Sequence, residues 1–385
     1  MFSSRFHWDF HPNRLTRALT ARRAAGGEVL DLTESNPTHA ELEYPADTVQ
    51  ALADPRLLRY EPAPAGAPAA RDAVAGYYRA RGWDVPAGRI LLTASTSEAY
   101  AYLFKLLASP GDEVLVPRPS YPLFEFLATM ESVQVRPYSL AYHGGWGIDL
   151  AALEAALTAK TRAIVLVNPN NPTGSYIKRN ELTELVRLCR ARDLALISDE
   201  VFSDYALGSG RDRVATLAWL DECLTFSMSG LSKVAGMPQM KLGWIVVNGP
   251  SPVRQQAMER LEWIADTYLS VSTPVQCAAS RLLAAGEEVQ RQIRERTAAN
   301  LVFARETLKG SAAGLLDVEG GWYIILQVPR IRSEEDWTLE LLERGVLVQP
   351  GFFYDFETEA YLVVSLLTEP RVFQQGLAQV RASVG

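Results

Sequence analysis

Cysteine is scarce in this chain: Cys189, Cys223 and Cys277 are the only three in 385 residues. Their wide spacing makes neither a disulfide framework nor a set of metal ligands, so reduced thiols and no metal are expected. Long apolar runs are missing too. No stretch reaches the roughly 18 apolar residues of a membrane-crossing helix, and the opening MFSSRFHWDFHPNRL has no run of signal-peptide length. The expectation is a cytoplasmic protein without a membrane partner. A basic excess is the third absence. The net charge is −7 with no basic block to offset it, which argues against a nucleic-acid surface and leaves room for a small anion held by local groups.

What is present is apolar material in short, regular pieces. Hydrophobic residues make 48% of the chain, enough for a large core, and the length exceeds what one core usually serves. Two domains are expected. RILLTAS (89–95), EVLVP (113–117), RAIVLVN (162–168), LALIS (194–198), LTFSMS (224–229) and LGWIVV (242–247) read as buried strands. Helical stretches at 97–107, 121–130, 150–157 and 180–192 alternate with the first five. Continuous apolar strands between helices predict an α/β fold, a mostly parallel sheet covered by helices on both faces. After Pro252 the pattern changes: helices near 253–268, 274–284 and 287–308, then GGWYIILQV (320–328), a helix near 333–343, VLVQP and YLVVSLL (361–367). This reads as a smaller α+β domain. The expected division is 46–284 for the large domain and 1–45 plus 285–385 for the small one.

Ligands of open α/β sheets collect at the carboxyl ends of the strands, and four such ends are chemically unusual. TASTSEAY (93–100) turns Ser95, Thr96 and Ser97 straight into a helix, making an anion cradle or an ordinary cap. NPNNPTGS (168–175) is forced into an irregular loop by two prolines and a glycine, which fixes the amide of Asn171. In LALISDEVF, Asp199 ends an apolar strand, where a carboxylate needs a cationic partner or donors, or serves as a cap. In SMSGLSKVAGMPQMKLGW, Lys233 follows a strand and a tight Ser/Gly turn, where burial turns an amine into a nucleophile. An anion cradle, a fixed amide, a buried acid and a nucleophilic lysine on successive strands suit pyridoxal 5'-phosphate. That cofactor needs its phosphate held, its ring nitrogen paired, its phenolic oxygen hydrogen-bonded and its aldehyde condensed with a lysine.

With these motifs the chain resembles the class I/II pyridoxal-phosphate-dependent aminotransferases, of the aspartate-aminotransferase-like fold type I. The likeness runs nearly end to end: Tyr60 ahead of Gly66, TASTSEAY, PGDEVLVPRPSYP, NPNNPTG, SDEVF, SGLSK and VLVQPG. It implies that Lys233 carries the cofactor as a Schiff base and shuttles a proton, and that Asp199 pairs with the ring nitrogen. It implies further that Asn171 donates to the phenolic oxygen and Tyr121 stacks on the ring. Ser95, Thr96, Ser97 and Lys241 would hold the phosphate, and Ser35 and Asn36 would touch the substrate carboxylate. Tyr60 would reach the phosphate of a neighbouring subunit, so a homodimer with shared sites is implied.

Three departures stand out. Phe202 occupies the place of a tyrosine that donates to the phenolic oxygen, which should raise the pKa of the lysine's imine, unless nearby Tyr205 substitutes. Lys241 replaces a phosphate-gripping arginine, keeping charge but losing the fork. Val363 stands where an arginine clamps the substrate α-carboxylate, and YLVVSLL contains no other cation. The leading expectation is transfer of an amino group between an amino acid and a 2-oxo acid. Elimination, replacement or cyclisation on the same scaffold is the alternative. A cofactor-sensing transcription regulator is a third, disfavoured because the segment before Tyr60 is too short for a winged helix. Phe352, Phe353 and Tyr354 hint at a hydrophobic substrate pocket.

Overall fold

The structure, a computed structural model, describes residues 2–6, 8–208, 210 and 212–385. After a short strand β1 (Leu30–Asp31), the large sheet is built from β2 (Ile90–Thr93), β3 (Glu113–Arg118), β4 (Gln134–Tyr142), β5 (Trp146–Ile148), β6 (Thr161–Val167), β7 (Ala195–Asp199), β8 (Thr225–Gly230) and β9 (Gly243–Asn248). Their spatial order is β2-β9-β8-β7-β6-β3-β4-β5. Strands β3, β4, β6, β7 and β8 run parallel, while β9 opposes both β2 and β8 and β5 opposes β4. The fold is α/β, a mostly parallel sheet with helices on both faces. Alternate residues explain why both faces need cover. Val114, Val165 and Ile197 enter one core cluster, and Leu115, Ile164 and Leu196 enter another on the opposite face.

A smaller antiparallel sheet follows, β10 (Gly314–Leu315), β11 (Tyr323–Gln327), β13 (Gln349–Pro350) and β14 (Tyr361–Ser365), in the order β10-β11-β14-β13. Strand β12 (Val346–Leu347) instead pairs in parallel with β1. One face of the small sheet, with Ile324, Leu326, Leu362 and Val364, packs with Trp337, Leu341, Phe373 and Leu377 from the helices Glu334–Glu343 and Pro370–Val384. Its other face carries Tyr323, Ile325 and Val363 into a cluster with Phe202, Tyr205 and Trp322.

Two expectations are corrected. The helices near 274–284 and 287–308 are one helix, Thr273–Leu308, of 36 residues. Gly286 looks like a break in sequence but serves contact: a Cβ there would lie 2.3 Å from the Cβ of Ala235, two residues past Lys233. Strands β4 and β5 had no counterpart in the sequence reading. Residues of β4 are mostly part-buried or exposed, and Pro137 sits among them, so the continuous apolar signal of an inner strand is absent. Among the described residues no helix is long and apolar enough to cross a membrane.

Candidate active site

Register brings the four unusual strand ends together. Val167 pairs with Asp199, Asp199 with Met228, Gly230 with Gly243, and Gly243 with Thr93. The loop after β6, the acid ending β7, the lysine after β8 and the helix start after β2 therefore share one edge.

Asp199 is held in place by two donors. The Tyr100 hydroxyl donates to Oδ2 at 3.1 Å, and the Val201 amide donates to Oδ1 at 3.2 Å. Burial raises its pKa to about 6, against the Val201 and Tyr100 hydrogen bonds and the Lys233 charge, which pull it down. Tyr100 escaped the sequence reading. It lies four residues after Thr96 on the same helix face, a spacing that places it under the cradle but does not reveal its partner.

Lys233 sits in the short helix Leu231–Val234, directly after β8. Its Nζ lies 5.2 Å from the Trp322 ring centre and 5.9 Å from that of Phe202. Burial between these rings pushes the amine down from its ordinary value, and the Asp199 charge pulls the other way. Its backbone is fixed separately, because the Tyr205 hydroxyl donates to the Lys233 carbonyl. Tyr205 therefore does not stand in for the tyrosine missing at Phe202. Phe202 is buried and packs edge-on against Trp322 and Tyr323.

The helix Thr96–Leu107 begins with a full cap. Ser95 Oγ accepts from the Glu98 amide at 3.2 Å, and Glu98 Oε2 accepts from the Ala94 amide at 2.7 Å. The Ser95 hydroxyl is thus engaged in capping. The amides of Thr96 and Ser97, in the first turn, have no intrahelical carbonyl to meet. Lys241 is exposed, in a left-handed conformation (φ 50°), two residues before Gly243. Pairing of Gly243 with Thr93 brings it beside that helix start.

In the loop after β6, two of the three asparagines are occupied. Asn168 donates to the Val214 carbonyl at 2.8 Å and accepts from the Ile177 amide at 2.9 Å. Asn170 donates to Ser120 Oγ at 3.2 Å and accepts from the Thr173 hydroxyl at 3.0 Å. Asn171 is buried with its Oδ1 unpartnered. Since amide oxygen and nitrogen exchange by a flip, this side chain offers a ligand either polarity.

Tyr121 is half-exposed just after β3, its phenol raised by burial and by the Asp199 charge. Ser35 lies against the Tyr323 hydroxyl. Asn36 turns its Oδ1 to the amide and hydroxyl of Thr38 at 3.1 and 2.8 Å, capping the turn Pro37–His39. Tyr60, 73% exposed, lines a surface cleft with Leu269 and Ser270 and is not brought to Lys233 within one chain. Val363 is buried between Ile325 and Gln349. Phe352 and Phe353 line an outer cleft of about 670 Å³ with Tyr121, whereas Tyr354 turns inward and donates to Gln349.

Comparison with known proteins agrees with this geometry. The model of the family "Aminotransferase class I and II" matches residues 27–371. The chain is 31% identical to glutamate-pyruvate aminotransferase AlaA of Escherichia coli over 279 residues, 70% of this chain and 66% of that protein. It is 32% identical to nicotianamine aminotransferase 1 of rice over 64% of this chain and 50% of that protein. The matches thus span two thirds or less of these relatives' length. Among solved structures, alanine aminotransferase of Pyrococcus furiosus superposes with a TM-score of 0.89 at 22% identity, covering 100% of this chain and 99% of that one. Thermus thermophilus aspartate aminotransferase with maleate superposes with a TM-score of 0.83 at 23% identity, covering 99% of each. The fold is shared throughout, and the chain belongs to the class I and II aminotransferases, a family whose cofactor is pyridoxal 5'-phosphate.

Proposed function

We propose that this protein moves an amino group between an amino acid and a 2-oxo acid. The observation that carries the reading is the half-buried Lys233 amine whose charge acts on the Asp199 carboxylate, at the sheet edge where the helix Thr96–Leu107 begins. The residues fit the cofactor. Asn171 has a buried polar atom without a protein partner, and Asp199 is a half-buried acid whose acidity suffers until a cation faces it. Bound pyridoxal 5'-phosphate supplies the aldehyde that takes up the amino nitrogen and the electron sink that makes the substrate α-C–H acidic.

The chain's own groups do the rest. Asp199 holds the proton on the ring nitrogen. Asn171 would bond the phenolic oxygen, and Tyr121 would cover one ring face. The amides of Thr96 and Ser97, the Ser95 turn and Lys241 take the phosphate. Lys233, its amine made less basic by burial, would carry the cofactor and take the proton from the substrate α-carbon. Ser35 and Asn36 approach the substrate. Nitrogen balance closes over two halves: water oxygen replaces the donor's nitrogen, and the acceptor's oxygen leaves as water.

Exposure of Tyr60 supports a homodimer in which it completes the partner's phosphate site. The same reading places the domain division at 46 and 284 and the protein in the cytoplasm. The test is a panel of amino acids, each incubated with and without a 2-oxo acid. Oxo product that requires the acceptor supports transfer. Product that accumulates without acceptor, with ammonia released, would mean elimination.

A further inference from the structure

The site-facing side of the small sheet carries no charge. Tyr323 and Ile325 on β11 and Val363 on β14 share one cluster with Phe202 and Trp322, the two rings that flank the Lys233 amine. Gln349, opposite Val363, is engaged by the Tyr354 hydroxyl. The polar groups left on this wall are neutral: the phenol of Tyr323, with Ser35 against it, and the buried indole N–H of Trp322, unpartnered among the described residues. Tyr121 acts electrostatically on both Tyr323 and Tyr354, so the three stand together. Burial pushes Tyr323 up to about 12 and keeps it a neutral donor, while the single hydroxyl proton of Tyr354 is already given to Gln349.

Among the described residues, the charges that act most on these phenols are anionic, Asp199 on Tyr121 and Glu34 on Tyr323. Asp199 is the charge that acts on Lys233. Arg118, three residues before Tyr121, is ion-paired with Asp355. Arg118 donates to the Asp355 carboxylate at 2.7 Å and its carbonyl at 3.1 Å, and Arg296 donates to the Ala40 carbonyl. None of the strand residues on this wall carries a guanidinium that could receive an entering carboxylate as it sheds water, whereas neutral donors such as the Tyr323 phenol and the Trp322 indole serve an uncharged acceptor as well as a charged one.

We infer that the site accepts amine donors whose nitrogen-bearing carbon carries a neutral polar group, a carboxamide or a hydroxymethyl, about as readily as those carrying a carboxylate. The inference rests on the aminotransfer reading and narrows its substrate class. With an amino amide, the α-nitrogen leaves, water oxygen replaces it, and a 2-oxo amide is released with its carboxamide intact. With an amino alcohol, the product is the hydroxy-carbonyl compound.

The experiment uses the holoenzyme and matched probes: L-alanine, L-alaninamide and L-alaninol, with the phenylalanine counterparts. Single-turnover rates are read from the change in the cofactor's absorbance near about 400 nm. Dissociation constants of propionate and propionamide, which cannot react, are measured by calorimetry. The expected result is neutral donors within about tenfold of the acids, and propionamide bound within about tenfold of propionate. A preference of about 100-fold or more for acid over amide, in rate or in binding, overturns the inference; a cation lent by a partner subunit would give that outcome. If acids alone react, aminotransfer stands and the inference falls. If no donor passes nitrogen to an acceptor, the aminotransfer reading falls, while the propionate-to-propionamide ratio still decides the character of the wall. Val363→Arg should move that ratio toward the acid by about tenfold where the variant folds, and the wild-type comparison is decisive without it.

Discussion

The Tyr100 hydroxyl donates to Asp199 Oδ2 at 3.1 Å and ties the acid at the end of β7 to the helix that opens at Thr96. Removing this donor as Tyr100→Phe withdraws support from the charged carboxylate, so its pKa rises further above about 6, by on the order of one unit. Cofactor affinity should therefore fall at pH 6 more than at pH 8, because the cofactor-free acid is more often protonated there. A loss equal at all pH values would make Tyr100 a packing residue only.

Lys233→Ala should abolish the absorbance band near about 400 nm that appears when the wild-type protein is mixed with pyridoxal 5'-phosphate. Thermal unfolding of the cofactor-free variant should stay close to wild type or rise, because a buried amine costs stability when charged. A band that survives the substitution would place the linkage on another amine.

Asp199 gives a signed prediction for stability. Its pKa rises from 3.8 unfolded to about 6 folded, so the folded state binds the extra proton between these values. Cofactor-free stability should fall as pH rises through that window, a contribution of about 3 kcal/mol when complete. Asp199→Asn should flatten this segment of a urea-unfolding series from pH 4 to 7 while abolishing transfer. Glu200, raised to about 7 by burial, adds a slope of the same sign and remains in the variant.

Gly286→Ala tests the contact between the long helix and the lysine loop. Alanine favours the helix by about 1 kcal/mol, but its Cβ would meet Ala235 Cβ at 2.3 Å and Ala235 Cα at 2.8 Å. Overpacking against backbone outweighs propensity, and a net loss of about 1–2 kcal/mol is expected in chemical denaturation. The fluorescence of bound cofactor should change as well, since the displaced residue is two positions from Lys233.

The strand ends were legible because each combines a continuous apolar run with a compact motif: TAST, NPNNPTG, SDEVF and SGLSK. Burial on both faces writes itself into every residue of β6, β7 and β8 but Arg162 and Asp199. What stayed hidden depends on distant partners. The Tyr100–Asp199 bond joins residues 99 apart, and the Tyr205 bond to the Lys233 carbonyl joins residues 28 apart. Neither has a local signature. Strand β4 carries the mixed polarity of a near-edge position, and the tight approach at Gly286 reads as a break when its neighbour is unknown.

The unbroken helix Thr273–Leu308 has a mechanical consequence. At 1.5 Å per residue it is a rod of roughly 54 Å. Val275, Ala278 and Leu282 are seated beside Trp244 and Val246 of the large sheet, while Leu301, Ala304 and Leu308 anchor the small one. Between these two seats Gly286 touches Ala235, and Gln290 donates to the Val234 carbonyl at 2.9 Å. The rod that joins the two sheets therefore also braces the backbone at Val234 and Ala235, next to Lys233, so that strain carried along the helix from either sheet would be felt at that turn.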